Sequence, residues 1–353
     1  MTQGNSTRSV ICTIVWLTCL LAPVTQSFAK DDPLFTSDEP LAITLEMPVD
    51  TIVKKADDKP VVEGVMRFND TNGSEVSIDM TMTTRGRSRL VYCHFPPLKM
   101  NLNKKAAKGT VFSGQNKLKI VTHCRTGSMH ERYLRQEFGI YKAYNEITDY
   151  SFRVRWLTIT YVDTTGKRDD EVYDGFFIES ARELAARHDR EEVMQNRINS
   201  AALDSVETSR YALFQYLIAN TDWSMLKGPG DEGCCHNGKI LRKPEDAGNW
   251  VVVPYDFDQA GLINTKYALP ADGLRIRSVR TRLYRGRCRH NKQLVDTIAH
   301  YNEKRPEIER YLVPAELSSG EQKKAKKYVD DFFKIINSPR KQQSKLYESC
   351  VGT

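Results

Sequence analysis

Three short stretches hold residue types able to do metal and proton chemistry. They are "ANTDWS" with Asp222, "CCHNGK" with His236 and Asn237, and "VVVPYDFDQAG" with Asp256 and Asp258. Asp222 follows directly on a strongly apolar run, so a core helix would hold it where that helix ends. Asp256 and Asp258 follow a buried-looking strand. If the chain stays extended there, positions i and i+2 face the same way and both carboxylates point to one side. Two convergent carboxylates and the amide oxygen of Asn237 make an all-oxygen set, which suits magnesium or manganese rather than zinc. The bland reading uses the same residues: Asp is a favoured turn residue, and Asn-Thr-Asp serves as a helix stop.

The elements that must position these groups start after residue 29. Residues 1–29 carry Arg8, the apolar run "ICTIVWLTCLLAPV" and small residues up to Ala29. That is the pattern of a secretory signal peptide, and it predicts a secreted or periplasmic protein that does not span the membrane after cleavage. An uncleaved anchor is the alternative, because the run is near the lower length limit for a span. The rest of the 353 residues suffices for a large core and two lobes. A net charge of +7 is modest and fits solubility as well as an acidic partner.

Cys12 and Cys19 leave with the signal. Cys93, Cys124, Cys234, Cys235, Cys288 and Cys350 stay, an even set that reads as disulfides in an exported chain. Adjacent Cys234 and Cys235 suit a zinc site poorly, and no C-x-x-C pair occurs. Cys93 and Cys124 are expected to pair, leaving the other four to staple the "CCHN" loop and the C-terminal tail through Cys288 and Cys350.

Residues 30–180 read as β-rich with one inserted helix. "LAITLEMPV" alternates apolar and polar residues, and "GVMRFNDTNGSEVSIDMTMTT" does so around an Asn-Gly turn. Further strands are expected in "RLVYCHFPPLKMNL", "NKLKIVTHC", "RVRWLTITYVD" and "VYDGFFIES". Between them, Leu134, Phe138 and Tyr141 fall on one helical face, with Glu137 at its margin, an odd place for a carboxylate unless a cation meets it. Residues 181–353 read as mainly helical, with Asp204 and Glu207 capping one helix, Ser318 and Glu321 another, and a short hairpin formed by "GKIL" and "WVVVPYD".

A strand lysine, a helix with an inward glutamate, then an Asp, an Asn and a D-F-x triplet is the order in which protein kinases arrange phosphoryl transfer. Over most of residues 40–265 the chain resembles the spore-coat protein H (CotH) kinase-like family. The pieces that carry the likeness are "RGRSR", "LKIVTHC", "QEFGIYKAYNEITDYSFRVR", "GFFIE", "NTDWS", "HN" and "PYDFD". The resemblance implies an α+β, bilobal protein-kinase-like fold and use of ATP or another nucleotide with Mg or Mn. It makes Asp222 the catalytic aspartate and Asp256 and Asn237 the metal ligands, with Asp258 a further ligand in place of the usual glycine. Lys119 and Glu137 would form the ion pair that holds phosphates, with Lys99 the competitor for the lysine role.

The departures are specific. Asp222 and Asn237 stand further apart than their kinase counterparts, there is no H-R-D, and no glycine-rich loop opens the chain. "GPGDEG" at 228–233 matches G-x-G-x-x-G in letters alone, since it follows no expected strand and carries two carboxylates. The stretch "RIRSVRTRLYRGRCRHNK" suits docking of an acidic protein or an anionic envelope polymer as acceptor. It lacks the aromatic spacing of single-strand binding, so no nucleic-acid partner is expected. Two further readings stay open: a non-catalytic binding module of the envelope or coat, and a metal-dependent hydrolase. Nucleotide is scarce outside the cytoplasm, which favours neither transfer nor a named donor.

Overall fold

The structure, a computed structural model, describes residues 1, 2, 4, 32–229 and 233–352. The expected signal segment and the centre of the "GPGDEG" loop lie outside the described residues. The strands are β1 (Leu41–Met47), β2 (Val62–Asn69), β3 (Glu75–Thr84), β4 (Leu98–Leu102), β5 (Lys117–Val121), β6 (Val154–Asp163), β7 (Glu171–Ile178), β8 (Glu191–Glu192), β9 (Gly238–Arg242) and β10 (Val251–Pro254). The helices are α1 (Val49–Lys54), α2 (Ser88–Tyr92), α3 (Ser128–Ile147), α4 (Ala181–Arg187), α5 (Ser205–Ile218), α6 (Leu294–Glu303), α7 (Arg305–Leu312), α8 (Ser319–Ile336) and α9 (Pro339–Gln342).

The architecture is α+β, but it corrects the expected bilobal kinase-type fold. The first seven strands close into a barrel in the order β1-β2-β3-β4-β5-β7-β6. Closure comes from β1 lying parallel to β6, with Ile43 opposite Ile159 and Leu45 opposite Tyr161; the other neighbours are antiparallel. A parallel pair between segments more than a hundred residues apart leaves no local turn signal, which is why the alternating pattern reads equally well as an open sheet.

Strand alternation then divides the packing. Ile43, Leu45, Met66, Ile78, Met82, Leu98, Met100, Leu118, Ile120, Leu157 and Ile159 are buried inside the barrel. Val121, Val154, Phe176 and Ile178 face outward into a second core shared with α3, α5, α6 and α8. Gly139 lets α3 approach α7, since a Cβ there would collide with the Tyr311 carbonyl. The hairpin of β9 and β10, extended by β8, forms a separate three-stranded sheet.

Most local expectations stand: the β2–β3 hairpin, α3, the Asp204 cap of α5 and the full capping box of Ser318 and Glu321 on α8. One does not. Arg89–Tyr92, expected in a strand, belong instead to the short helix α2. No helix of the described residues is long and apolar enough to cross a membrane. Cys93 joins Cys124 as expected, whereas Cys288 joins Cys350 and Cys234 joins Cys235, so the "CCHN" loop is closed on itself rather than tied to the tail.

Candidate active site

Backbone bonds assemble the site. Helix α5 ends in a left-handed residue, Ala219, at φ 51°, and the chain turns sharply into Asn220-Thr221-Asp222. Asn220 is buried, accepts the Asp222 N–H on its side chain at 3.0 Å and accepts the Trp223 indole N–H on its carbonyl at 2.9 Å. Ser224 and His236 exchange backbone bonds of 2.9 and 3.1 Å, which sets the "HN" pair beside Asp222. The Tyr255 N–H donates to the Asn237 carbonyl at 3.2 Å, and Gly261 and Leu262 donate to the carbonyls of Ala219 and Ile218. The three stretches singled out in the sequence therefore meet at one place.

The Asp222 carboxylate is held on both oxygens. His236 Nε2 lies 2.7 Å from Oδ1, and Asn237 Nδ2 donates to Oδ2 at 3.0 Å and to the Asp222 carbonyl at 2.7 Å. Because the Asn237 nitrogen faces Asp222, its amide oxygen is turned the other way. Asp256 has φ 62° and Asn237 φ 49°, left-handed values that Asp and Asn tolerate better than most residues. The Tyr141 hydroxyl accepts the Asp256 N–H at 3.0 Å.

The left-handed turn at Asp256 ends the extended run, so the expected alternation does not pair Asp256 with Asp258 as joint ligands. Asp258 is buried and committed elsewhere, accepting from Arg89 Nε at 2.9 Å and from the Tyr267 hydroxyl at 3.2 Å. Burial, with Asp258 beside it, raises the Asp256 carboxyl above the usual carboxylate range, while Arg89 and Arg85 pull it down.

The cation that meets Glu137 is Arg89, not the expected Lys119. Arg89 Nη2 bonds the Glu137 carboxylate while its Nε holds Asp258. A planar guanidinium presents separate N–H donors, Nε and Nη2, to the two buried carboxylates in a fixed geometry. Burial and the neighbouring Asp258 and Asp256 push Glu137 up to about 7 against the pull of Arg89. "RGRSR", one of the stretches that carry the resemblance, holds both this residue and Arg85.

Lys119 has a different set of neighbours. It stands on the outward face of β5, opposite Lys99 on β4, with its ammonium 5.4 Å from the centre of the Tyr255 ring. Lys239 on β9 reaches the same ring at 5.9 Å and pairs with Glu192 at 2.6 Å. Burial, then the nearby Arg85 and Lys239 charges, lower Lys119 to about 8, with Asp256 and Glu192 opposing. Arg85 also lies beside Asp256, and its Nε is buried without a hydrogen-bond partner. Arg85 and Lys119 thus lie near Asp256, with Lys239 and its partner Glu192 beside Lys119, an excess of positive charge suited to a bound anion.

A divalent metal fits this donor set only in a particular way. Among the described residues no group of three His, Cys, Asp or Glu side chains is arranged to hold a metal ion. Asp256 and the outward amide oxygen of Asn237 offer hard oxygen donors without a complete cage. That matches magnesium, which keeps waters and is completed by substrate phosphates. The arginine-rich stretch proves partly structural: Arg285 bonds the carbonyls of Thr221 and Trp223, and Arg282 those of Leu217 and Tyr328. Comparison with family models, curated proteins and solved structures gives no match.

Proposed function

We propose that the protein is a metal-dependent phosphotransferase that moves a phosphoryl group from ATP or another nucleotide to a protein or envelope-polymer acceptor. The observation that carries this reading is the placing of Arg85 and Lys119 near Asp256, with Lys239 beside Lys119 on the Tyr255 ring, and an Asp222 fixed by His236 and Asn237. Like charges held this close are costly in the free protein and are relieved by a polyanion. Arg85, Lys119 and Lys239 bind the phosphates, and Asp256 with Asn237 holds Mg or Mn against them. When bound, the metal screens the charge on the phosphate oxygens. Asp222 orients the acceptor hydroxyl. The bond from the acceptor oxygen to phosphorus forms, the bond from phosphorus to the donor's bridging oxygen breaks, and the acceptor proton passes to Asp222. Positioning and fixed charge supply the rate. The exported setting expected from residues 1–29 belongs to the same proposal.

Two substitutions separate the roles. Asp256→Ala removes a ligand and should weaken metal-dependent nucleotide binding. Asp222→Ala should leave that binding largely intact while transfer falls by roughly a hundredfold or more. Titrating nucleotide with magnesium, alongside a transfer assay, reads both. Wild-type protein that binds no nucleotide under any divalent metal sinks the proposal.

A further inference from the structure

The arginine-rich stretch divides into two kinds of arginine. Arg280 donates to the Gly261 carbonyl at 3.4 Å, and Arg282 and Arg285 spend their donors on the carbonyls already named. Arg275 and Arg277 are exposed, and among the described residues neither makes a side-chain hydrogen bond or an ion pair. They lie in the run from Tyr255 to Arg287, which the described chain forms without helix or strand. A loop of that length inside a compact domain is usually a binding element or is disordered. This one is tied down. The Ala271 N–H donates to the Thr221 hydroxyl at 3.3 Å, and the Leu269 N–H to the Gln259 side chain at 3.0 Å. The Val279 carbonyl lies so close to Gly261 that a Cβ there would stand 2.1 Å from its oxygen. Gly261 in turn donates to the Ala219 carbonyl at the end of α5.

Residues 272–278 therefore arch between two anchors, and both anchors rest on the turn that carries Asp222. Thr221 is the neighbour of Asp222, and Gly261 holds the residue that starts the turn. We infer that this arch is the docking surface for an acidic segment of a protein partner, the acceptor in the reading above. The arch presents two unpaired cations, Arg275 and Arg277, against the single carboxylate of Asp272. Half-buried Leu274 and Ile276 alternate with them, and Leu269, just before the first anchor, is 73% exposed. That mixture fits a peptide carrying both carboxylates and apolar side chains, whereas a phosphate polymer offers charge alone. Exposed, unpaired cations keep their attraction at low ionic strength and steer an acidic partner toward Asp222. Docking stands on charge and anchoring; only the partner's role as acceptor rests on the phosphotransfer reading.

The probe is a fluorescent peptide with one serine flanked by aspartates and leucines, beside a counterpart with asparagine for each aspartate. Anisotropy titration with the full chain at low salt reads binding. Wild type should bind the acidic peptide about tenfold or more tightly than the neutral one, and added salt should shrink the difference. Reversing both charges, Arg275→Glu with Arg277→Glu, should weaken the acidic peptide by about tenfold or more and leave magnesium–nucleotide binding unchanged. Lys104→Glu with Lys105→Glu alters the net charge equally on the exposed loop after β4, and should leave peptide binding within about twofold. Leu269→Ser should weaken the leucine-bearing peptide by about threefold. In transfer kinetics the arch variant should raise the peptide KM with kcat little changed, the mark of uniform binding.

Equal binding of the two peptides by wild type overturns the inference. So does an arch variant that binds like wild type, or a Lys104 and Lys105 variant that loses as much. Polyglycerol phosphate that displaces the acidic peptide and binds more tightly overturns the choice of a protein partner. If the charge reversal does not fold, Arg275→Gln with Arg277→Gln decides: binding of the acidic peptide unchanged from wild type overturns the docking role. Peptide binding in the expected order without phosphoryl transfer overturns the phosphotransfer reading and leaves the docking surface intact. Transfer to the acidic peptide with an unchanged KM in the arch variant does the reverse.

Discussion

Lys119 sits where stability and binding pull in opposite directions. Burial and the charges of Arg85 and Lys239 lower its folded value to about 8, below that of an exposed lysine. The folded state therefore gives up the Lys119 proton more readily than the unfolded chain. The resulting destabilisation is complete below pH 8 and fades as pH rises from 8 toward the ordinary lysine value. Anion binding has the reverse dependence, because only the protonated amine attracts phosphate. Nucleotide affinity should be highest below pH 8 and decline above it. Lys119→Met should flatten that limb, weaken binding, and raise folding stability by about 1 kcal/mol. Urea titrations at pH 7 and 9, paired with nucleotide titrations, check both signs. A variant that loses stability and binding together would show that Lys119 is held by a partner rather than crowded.

At the scale of elements, the Arg89 bridge joins three pieces. It comes from α2, meets Glu137 on α3 and meets Asp258 in the turn after β10. The Cys93–Cys124 disulfide fastens the end of α2 to the segment after β5, so the guanidinium has little freedom. Glu137 and Asp258 are 4% and 5% exposed, which makes removal of their shared cation expensive. Arg89→Met should cost about 3–5 kcal/mol at neutral pH. Two unpaired buried carboxylates are relieved by protonation, and Glu137 already titrates at about 7 in the intact network. A carboxyl raised in the folded state adds stability as pH falls through its folded value. The deficit of Arg89→Met should therefore shrink between pH 7.5 and pH 5. Denaturation curves at the two pH values measure it, and a deficit independent of pH would mean that packing, not charge, sets the cost.

Across the whole molecule, two long-range closures hold the site's frame. One is the parallel pairing of β1 with β6, which turns a sheet into a barrel and leaves the outward face of β5 to carry Lys119. The other is Cys288–Cys350, which spans 62 residues and ties the C-terminal end to the segment before α6. That segment includes Arg285, which bonds the Asp222 loop through two carbonyls. Restricting a loop of this length in the unfolded chain is worth about 4 kcal/mol. Replacing both cysteines by serine should lower stability by up to that amount while the transfer rate at low temperature changes little. Chemical denaturation and a rate measured well below the transition test this. A large rate loss in a still-folded variant would mean that the staple positions the Asp222 loop directly.

Periodicity and capping determined much of this protein before any tertiary contact is considered. The Asn-Gly hairpin, the apolar face of α3 and the Ser318–Glu321 box are local, and local sequence decides them because their bonds span few residues. The cluster of Asp222, His236, Asn237 and Asp256 was legible as a group for the same reason, lying in neighbouring loops on a short hairpin. The isolation of Glu137 on an apolar face announced a cation without saying which one. Only the folded chain decided that it is Arg89, since an ion pair between residues 48 apart depends on how α2 is set against α3. The same holds for barrel closure, where β1 could pair with any alternating strand until the twist of the sheet brings β6 to it. It holds also for Asp256, whose left-handed backbone is held by the Tyr141 hydroxyl and overrides the alternation that its D-x-D spacing implies.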